Sequence, residues 1–65
     1  MHTKCVIIVE RNFNDDIWVF DCIFNNQLYI EPEADDEIKG ARNIDLTNGN
    51  FSRYRYRKIF VADRS

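Results

Sequence analysis

The sequence contains little glycine, proline or histidine, with two, one and one of these among its 65 residues. This scarcity excludes collagen-like and low-complexity chains, and 45% hydrophobic residues with 14% aromatics exclude a disordered one. No apolar run approaches the roughly 20 residues that span a bilayer, so no membrane contact is expected. A chain this short forms at most one domain, and residues 1–65 are predicted to be that domain.

The residues needed for most catalytic and metal sites are also missing. Cys5 and Cys22 form no CxxC pair, and the only histidine is His2 at the N terminus. A zinc site needs about four ligands, and a nucleophilic triad needs a well-placed histidine. Gly40 and Gly49 do not make a glycine-rich phosphate loop. We therefore predict a non-enzymatic protein without metal or cofactor; since no export signal is visible, we expect reduced thiols and a cytoplasmic location.

The residues that are abundant favour β-strands. Isoleucine, phenylalanine, valine and tyrosine far outnumber leucine and alanine, and β-branched and aromatic side chains suit a pleated surface. Asparagine, aspartate, proline and glycine separate the apolar runs at turn-like intervals. Asn48-Gly49 is the strongest hairpin signal. The predicted strands are 3–11, 16–24, 28–31, 43–47 and 51–62.

The register of the first hairpin follows from its apolar positions. A four-residue loop over 12–15 gives one wholly apolar side, which a core face requires, whereas a slip of one residue would oppose Ile7 to Asp21. The resulting pairs are Val9–Trp18, Ile7–Phe20 and Cys5–Cys22. We expect the two cysteines to be small buried hydrophobes, with a cross-strand disulfide as the alternative.

The remaining segments complete an all-β prediction. Residues 33–42 lack strand character, so they predict either one short helix that Gly40 ends or a mobile acidic loop. The apolar residues of the last strand change phase, which predicts a bulge or sharp bend near Arg57-Lys58. The sequence therefore predicts a small five-stranded antiparallel barrel or a strongly bent sheet, of the SH3-like or OB-like architecture.

The most distinctive motif is basic and lies near the C terminus. Residues 51–65 carry a charge of +4, against −6 for residues 1–50, with a total of −2. On a strand, Arg53, Arg55 and Arg57 share one face, and Tyr54, Tyr56 and Lys58 share the other. One interpretation is a row of guanidinium groups that follows phosphates, with tyrosines that stack on bases. The other is an amphipathic strand with half-buried tyrosines and solvated arginines, which also suits a protein contact.

Two further features are candidate contact sites. Glu31, Glu33, Asp35, Asp36 and Glu37 form an acidic segment, typical of a solvated loop, a surface for a basic partner, or a mimic of nucleic-acid phosphates. Phe13 lies in a polar turn, where an aromatic side chain either folds back onto the sheet or anchors a partner.

These observations favour a protein-binding domain that occludes or bridges a larger protein or nucleoprotein complex. Its predicted contacts are the basic segment (Arg53, Tyr54, Arg55, Tyr56, Arg57, Lys58), Phe13 and the acids Glu33, Asp35, Asp36 and Glu37. Small size and charged surfaces also suggest an inhibitor encoded by a virus or mobile element. The alternative is a nucleic-acid-binding barrel that uses residues 53–58. A third hypothesis is a homodimer formed through an exposed strand edge.

Overall fold

The protein is mostly sheet with one helix, as seen in a computed structural model that describes residues 4–61. The elements are β1 (Lys4–Asn14), β2 (Ile17–Ile30), α1 (Glu31–Thr47) and β3 (Tyr54–Val61). The strands form one antiparallel sheet in the order β2-β1-β3, and the sheet is not closed. His2 and the predicted strand ends at Thr3 and Ala62 lie outside the described residues.

The structure differs from the predicted five-stranded barrel in two places. Residues 28–31 do not form a separate strand, because Leu28 to Ile30 continue β2 along β1. Residues 43–47 were predicted to be a strand but are the last turns of α1. The sheet therefore has three strands and a helix on one side, and its edge strands β2 and β3 do not pair to close a barrel.

The hairpin between β1 and β2 has a shorter turn than predicted. Asn14 pairs with Ile17 across Asp15 and Asp16, so Trp18 lies opposite Asn12 and not opposite Val9. This is a shift of three residues, and an odd shift moves side chains to the opposite face of the sheet. The predicted register is therefore wrong, and Trp18 and Phe20 lie on the face away from the predicted core.

Two irregularities in β2 then change its register along β1. One residue is added between the pairs Glu10–Phe20 and Val9–Cys22, and three are added between Ile8–Ile23 and Val6–Leu28. Asn25 and Asn26 adopt positive φ angles of 53° and 54° in the second irregularity. Asparagine tolerates this conformation, so the predicted turn residues do bend the backbone here. The chain nevertheless continues along β1, and Cys5 lies opposite Tyr29 instead of Cys22.

Helix α1 begins directly after β2 and is longer than predicted. Pro32, Glu31 and Glu33 lie in its first turn, where proline loses no hydrogen bond and acids favour the helix dipole. Gly40 lies inside the helix and does not end it. The helix ends at Thr47, and Gly49 follows it with a φ of 76°. The Asn50 amide donates to the Asp45 carbonyl at 2.7 Å, and the Gly49 amide donates to the Leu46 carbonyl at 3.3 Å. This is a Schellman motif, so Asn48-Gly49 makes a turn without a hairpin.

The helix covers only one face of the sheet, and the core lies beneath it. Ala34 and Ile38 of α1 pack on Cys5, Ile7 and Tyr29, with Phe24 and Tyr56 at the edge of the cluster. Strand β3 pairs with β1 without interruption from Lys4–Val61 to Arg11–Tyr54, so the predicted bulge near Arg57-Lys58 is wrong. The apolar residues of β3 change from even to odd positions for another reason. Tyr56 and Phe60 lie on the helix-covered face of the sheet, and Ile59 and Val61 lie on the opposite face.

Candidate protein-binding face

The sheet face opposite α1, here called the open face, is rich in apolar side chains. Four of them are strongly exposed: Phe20 at 61%, Leu28 at 48%, Val61 at 44% and Ile59 at 41%. The others are partly exposed. The strand pairing places these apolar residues on the open face: Val6, Ile8, Trp18, Phe20, Ile23, Leu28, Ile59 and Val61.

The open face divides into an aliphatic end and an aromatic, charged end. Near the start of β1, the row across the sheet is Leu28, Val6 and Ile59. Nearer the β1–β2 turn, the row is Phe20, Glu10 and Arg55. A partner on this face would therefore contact an aliphatic surface and, beside it, guanidinium groups.

One carboxylate holds two arginines on the open face. The Glu10 oxygen Oε1 accepts hydrogen bonds from Arg55 Nε at 2.8 Å and lies 3.1 Å from Arg57 Nε. The Arg55 guanidinium also lies 4.6 Å from the centre of the Trp18 ring, within the range of a cation–π contact. The Glu10 side chain is 13% exposed, whereas Arg55 and Arg57 are 43% and 55% exposed. The group therefore presents a net positive charge to solvent.

The structure separates the predicted basic segment into different environments. Arg55 and Arg57 are on the open face, but Arg53 lies in the turn before β3, where its carbonyl accepts from the Asn12 amide at 2.8 Å. Arg53 and Arg11 line a cavity of about 580 Å³ at the end of the sheet near the β1–β2 turn. The three arginines are therefore not one continuous row.

The tyrosines and the lysine of the basic segment lie on the helix-covered face. The Tyr56 hydroxyl donates to Asp45 Oδ2 at 2.6 Å, and its ring packs edge-on to Phe24 with centroids 6.1 Å apart. Burial, and then the hydrogen bond to Asp45, raise the pKa of Tyr56 well above its ordinary value. Tyr56 is thus a half-buried core residue, as one sequence interpretation expected, and Tyr54 is also only partly exposed.

Lys58 joins β3 to the start of α1. Its Nζ lies 2.7 Å from Asp35 Oδ1 and 3.0 Å from Glu31 Oε2. The hydrogen bonds with Asp35 and Glu31 raise the pKa of Lys58. Lys58 is therefore the residue of the basic segment that the acidic segment neutralises, while the single carboxylate of Glu10 offsets only one of the two charges of Arg55 and Arg57.

The other predicted contact residues are exposed but lie apart from the open face. Glu33, Asp35, Asp36 and Glu37 are exposed on α1. Phe13 is 70% exposed near the end of β1, so its ring does not fold back onto the sheet. Apart from the pair of Lys58 and Asp35, the structure therefore does not bring the predicted acidic, basic and aromatic contacts together into one surface.

Sequence reasoning missed the aliphatic part of the open face. It assigned Trp18 and Phe20 to the core because it placed the β1–β2 turn at residues 12–15, whereas the turn lies at Asp15 and Asp16. A signal was available in the unbroken apolar run from Cys5 to Val9, in which both parities are hydrophobic. Such a strand has apolar side chains on both faces, although a helix covers only one of them.

The remaining observations concern metal sites, membrane-spanning helices and similarity to known proteins. Within residues 4–61, no three histidine, cysteine, aspartate or glutamate side chains are grouped so that they could hold a metal ion. No helix in this range is both long and apolar enough to span a bilayer. No protein-family model, curated protein or solved structure matches the chain.

Proposed function

We propose that the protein is a small non-enzymatic binding domain whose open face binds an acidic, apolar segment of a partner protein. The observation that carries this proposal is the apolar sheet face that α1 leaves uncovered. Soluble proteins rarely expose apolar patches larger than a few hundred square ångströms, and larger patches mark interaction sites. Arginine and aromatic side chains are also enriched at the centres of interfaces.

The total surface is larger than that of a compact protein of the same mass. The chain exposes 5027 Å², whereas a compact protein of its mass exposes about 4400 Å². The excess of about 600 Å² is similar to the roughly 800 Å² that each partner buries in a standard interface.

The charges indicate the chemistry of the partner. Arg55 and Arg57 share the single carboxylate of Glu10, so the face keeps a positive charge beside its aliphatic end. A segment that carries both aliphatic and acidic side chains complements both parts. Nucleic acid is less favoured, because aliphatic side chains dominate the face and Tyr54 and Tyr56 lie on the other side of the sheet.

The experiment uses Trp18, the only tryptophan, which reports on the open face through its fluorescence. The probe is a short peptide of alternating leucine and glutamate, and its counterpart has lysine in place of glutamate. We expect the glutamate peptide to bind, with a loss of about tenfold in affinity in Arg57→Gln, equivalent to roughly 1.4 kcal/mol. Phe20→Ser should weaken binding at least as much, whereas its control Leu46→Ser, which alters an equally exposed residue of α1, should not.

Several outcomes would contradict the proposal. The acidic-partner assignment fails if the glutamate peptide does not bind, or if both peptides bind equally well. Salt-sensitive binding of single-stranded DNA that Arg57→Gln abolishes would assign the face to nucleic acid. A dimeric mass that Phe20→Ser reduces to a monomer would place a second copy on the face. An inhibitory role, a viral or mobile-element origin and a cytoplasmic location stay predictions from the sequence.

A further inference from the structure

A groove lies on the helix-covered side of the molecule, away from the open face. It is a cavity of about 460 Å³ between α1 and the sheet. Gly40, Ala41 and Ile44 line it from the helix, and Phe24 and Tyr56 line it from the sheet. The groove exists because the helix has small residues at this point: a methyl group added to Gly40 would meet no atom within 4 Å.

The rim of the groove is acidic. Asp36, Glu37 and Asp45 contribute three carboxylates, and none of the lining residues within 4–61 is basic. Asp45 already accepts the Tyr56 hydroxyl, whereas Asp36 and Glu37 are exposed. Arg42 lies near the groove but does not line it, and its guanidinium stacks on Phe51 at 4.2 Å from the ring centre.

We propose that this groove binds a long cationic side chain, such as arginine, from a basic segment of a partner protein. Arginine and lysine combine an apolar stem with a charged head. The stem fits against Ala41, Ile44 and the ring of Phe24, and the head reaches the carboxylates of Asp36 and Glu37. The aromatic rings of Phe24 and Tyr56 add a second favourable environment for a cation.

This site is independent of the proposed function. It lies on the opposite side of the sheet from the open face, and its charge is of the opposite sign. Two partners of opposite charge could therefore bind at the same time, so the protein would bridge them.

The experiment compares a short arginine–glycine peptide with the same peptide in which citrulline replaces arginine. Citrulline keeps the shape of the side chain and removes its charge. Binding is followed by the nuclear magnetic resonance signals of the Gly40 and Ile44 amides in the groove and of the Trp18 indole on the open face. We expect the arginine peptide to shift the groove signals and leave Trp18 unchanged, and the citrulline peptide to bind at least about tenfold more weakly.

Matched variants test the position of the site. Gly40→Leu fills the groove and should abolish binding, whereas Gly40→Ala adds one methyl group and should not. Glu37→Gln should weaken binding several-fold, whereas Glu33→Gln, which removes the same charge from α1 outside the groove, should have little effect. Circular dichroism checks that each variant keeps its helix.

The proposal is overturned by any of four results: no shift of the groove signals, equal binding of the citrulline peptide, unchanged binding in Gly40→Leu, or equal losses in Glu37→Gln and Glu33→Gln. The last result would show attraction to the net charge of the helix and not a site. A shift of Trp18 alone would move the peptide to the open face, and would contradict the acidic-partner proposal as well.

Discussion

Tyr56 is the residue at which sheet, helix and helix end meet. Its ring contacts Phe24 in β2, and its hydroxyl donates to Asp45 in the last turn of α1. Asp45 also accepts, through its carbonyl, the Asn50 amide of the Schellman motif. One tyrosine therefore fixes the end of the helix against the edge strand β3.

Replacing Tyr56 with phenylalanine should reveal the strength of this contact. The variant loses a hydrogen bond to a carboxylate, so its free energy of unfolding should be about 1 to 2 kcal/mol lower near neutral pH. Burial and Asp45 raise the pKa of folded Tyr56 above its ordinary value of 10.0. The contact therefore contributes its full stability below that pH, and this contribution declines as the pH rises above it. Urea denaturation of both proteins across this range measures the effect.

The pH dependence gives the critical comparison. The stability difference between the wild type and Tyr56→Phe should become smaller above about pH 10, where the unfolded tyrosine ionises. A difference that stays constant through this range would mean that Tyr56 ionises equally in both states. Lys58 titrates in the same range, but both proteins contain it, so its contribution cancels.

Among the elements, α1 shows most clearly which parts of the structure the sequence predicts. Its acidic start is visible as a local signal, whereas its end was predicted at Gly40, and Asn48-Gly49, which ends it, was predicted to form a hairpin. Ile44 and Leu46 alternate as in a strand, which predicted the wrong element, yet both are more than 60% exposed on the helix. Alternation indicates a strand only where a buried face imposes it.

The strands show a different limit. The positions of β1 and the last strand were predicted to within a few residues, because their composition is distinctive. The antiparallel pairing of β1 with β2 was also predicted, although in the wrong register. The last strand was predicted to pair with residues 43–47 but pairs with β1, because this pairing depends on contacts between distant residues. The same limit applies to the site. Arg55 and Arg57 were identified from their spacing in the sequence. Glu10, which binds both, was not identified, because it is 45 positions away from Arg55.

The two glycines at the middle and end of α1 should respond oppositely to alanine. Gly40 lies in the helix interior with open space around it, so Gly40→Ala should raise the free energy of unfolding by up to about 1 kcal/mol. Gly49 has a φ of 76°, so Gly49→Ala should lower it by about 1 to 2 kcal/mol. Chemical denaturation measures both. Stabilisation by Gly49→Ala, or a loss in Gly40→Ala, would contradict the observed end of α1.

At the scale of the whole molecule, the small core and the apolar open face have the same cause, because the helix covers only one face of the sheet. A single helix covers a three-stranded sheet, and the radius of gyration is 12.8 Å, against about 11 Å for a compact domain of this length. The side chains of Ile7 and Cys5 are the largest that are fully buried. Most of the stability must therefore come from the helix-covered side.

Ile7 and Phe20, one residue from each face of the sheet, should contribute very differently to stability. A domain of this length has a stability of roughly 3 to 10 kcal/mol. Ile7→Ala removes a fully buried side chain and should lower the free energy of unfolding by about 2 to 5 kcal/mol, which is a large part of that stability. Phe20→Ala alters an apolar residue on the open face that is 61% exposed, and should change the stability by less than about 0.5 kcal/mol.

Thermal unfolding at several protein concentrations distinguishes the possible origins of stability. For an isolated chain, the melting temperature should not depend on concentration, and only Ile7→Ala should lower it substantially. If Phe20→Ala proves as damaging as Ile7→Ala and the melting temperature rises with concentration, the open face is already buried between two copies. The face would then be part of the core of a dimer, and an acidic partner could reach it only by separating the two chains.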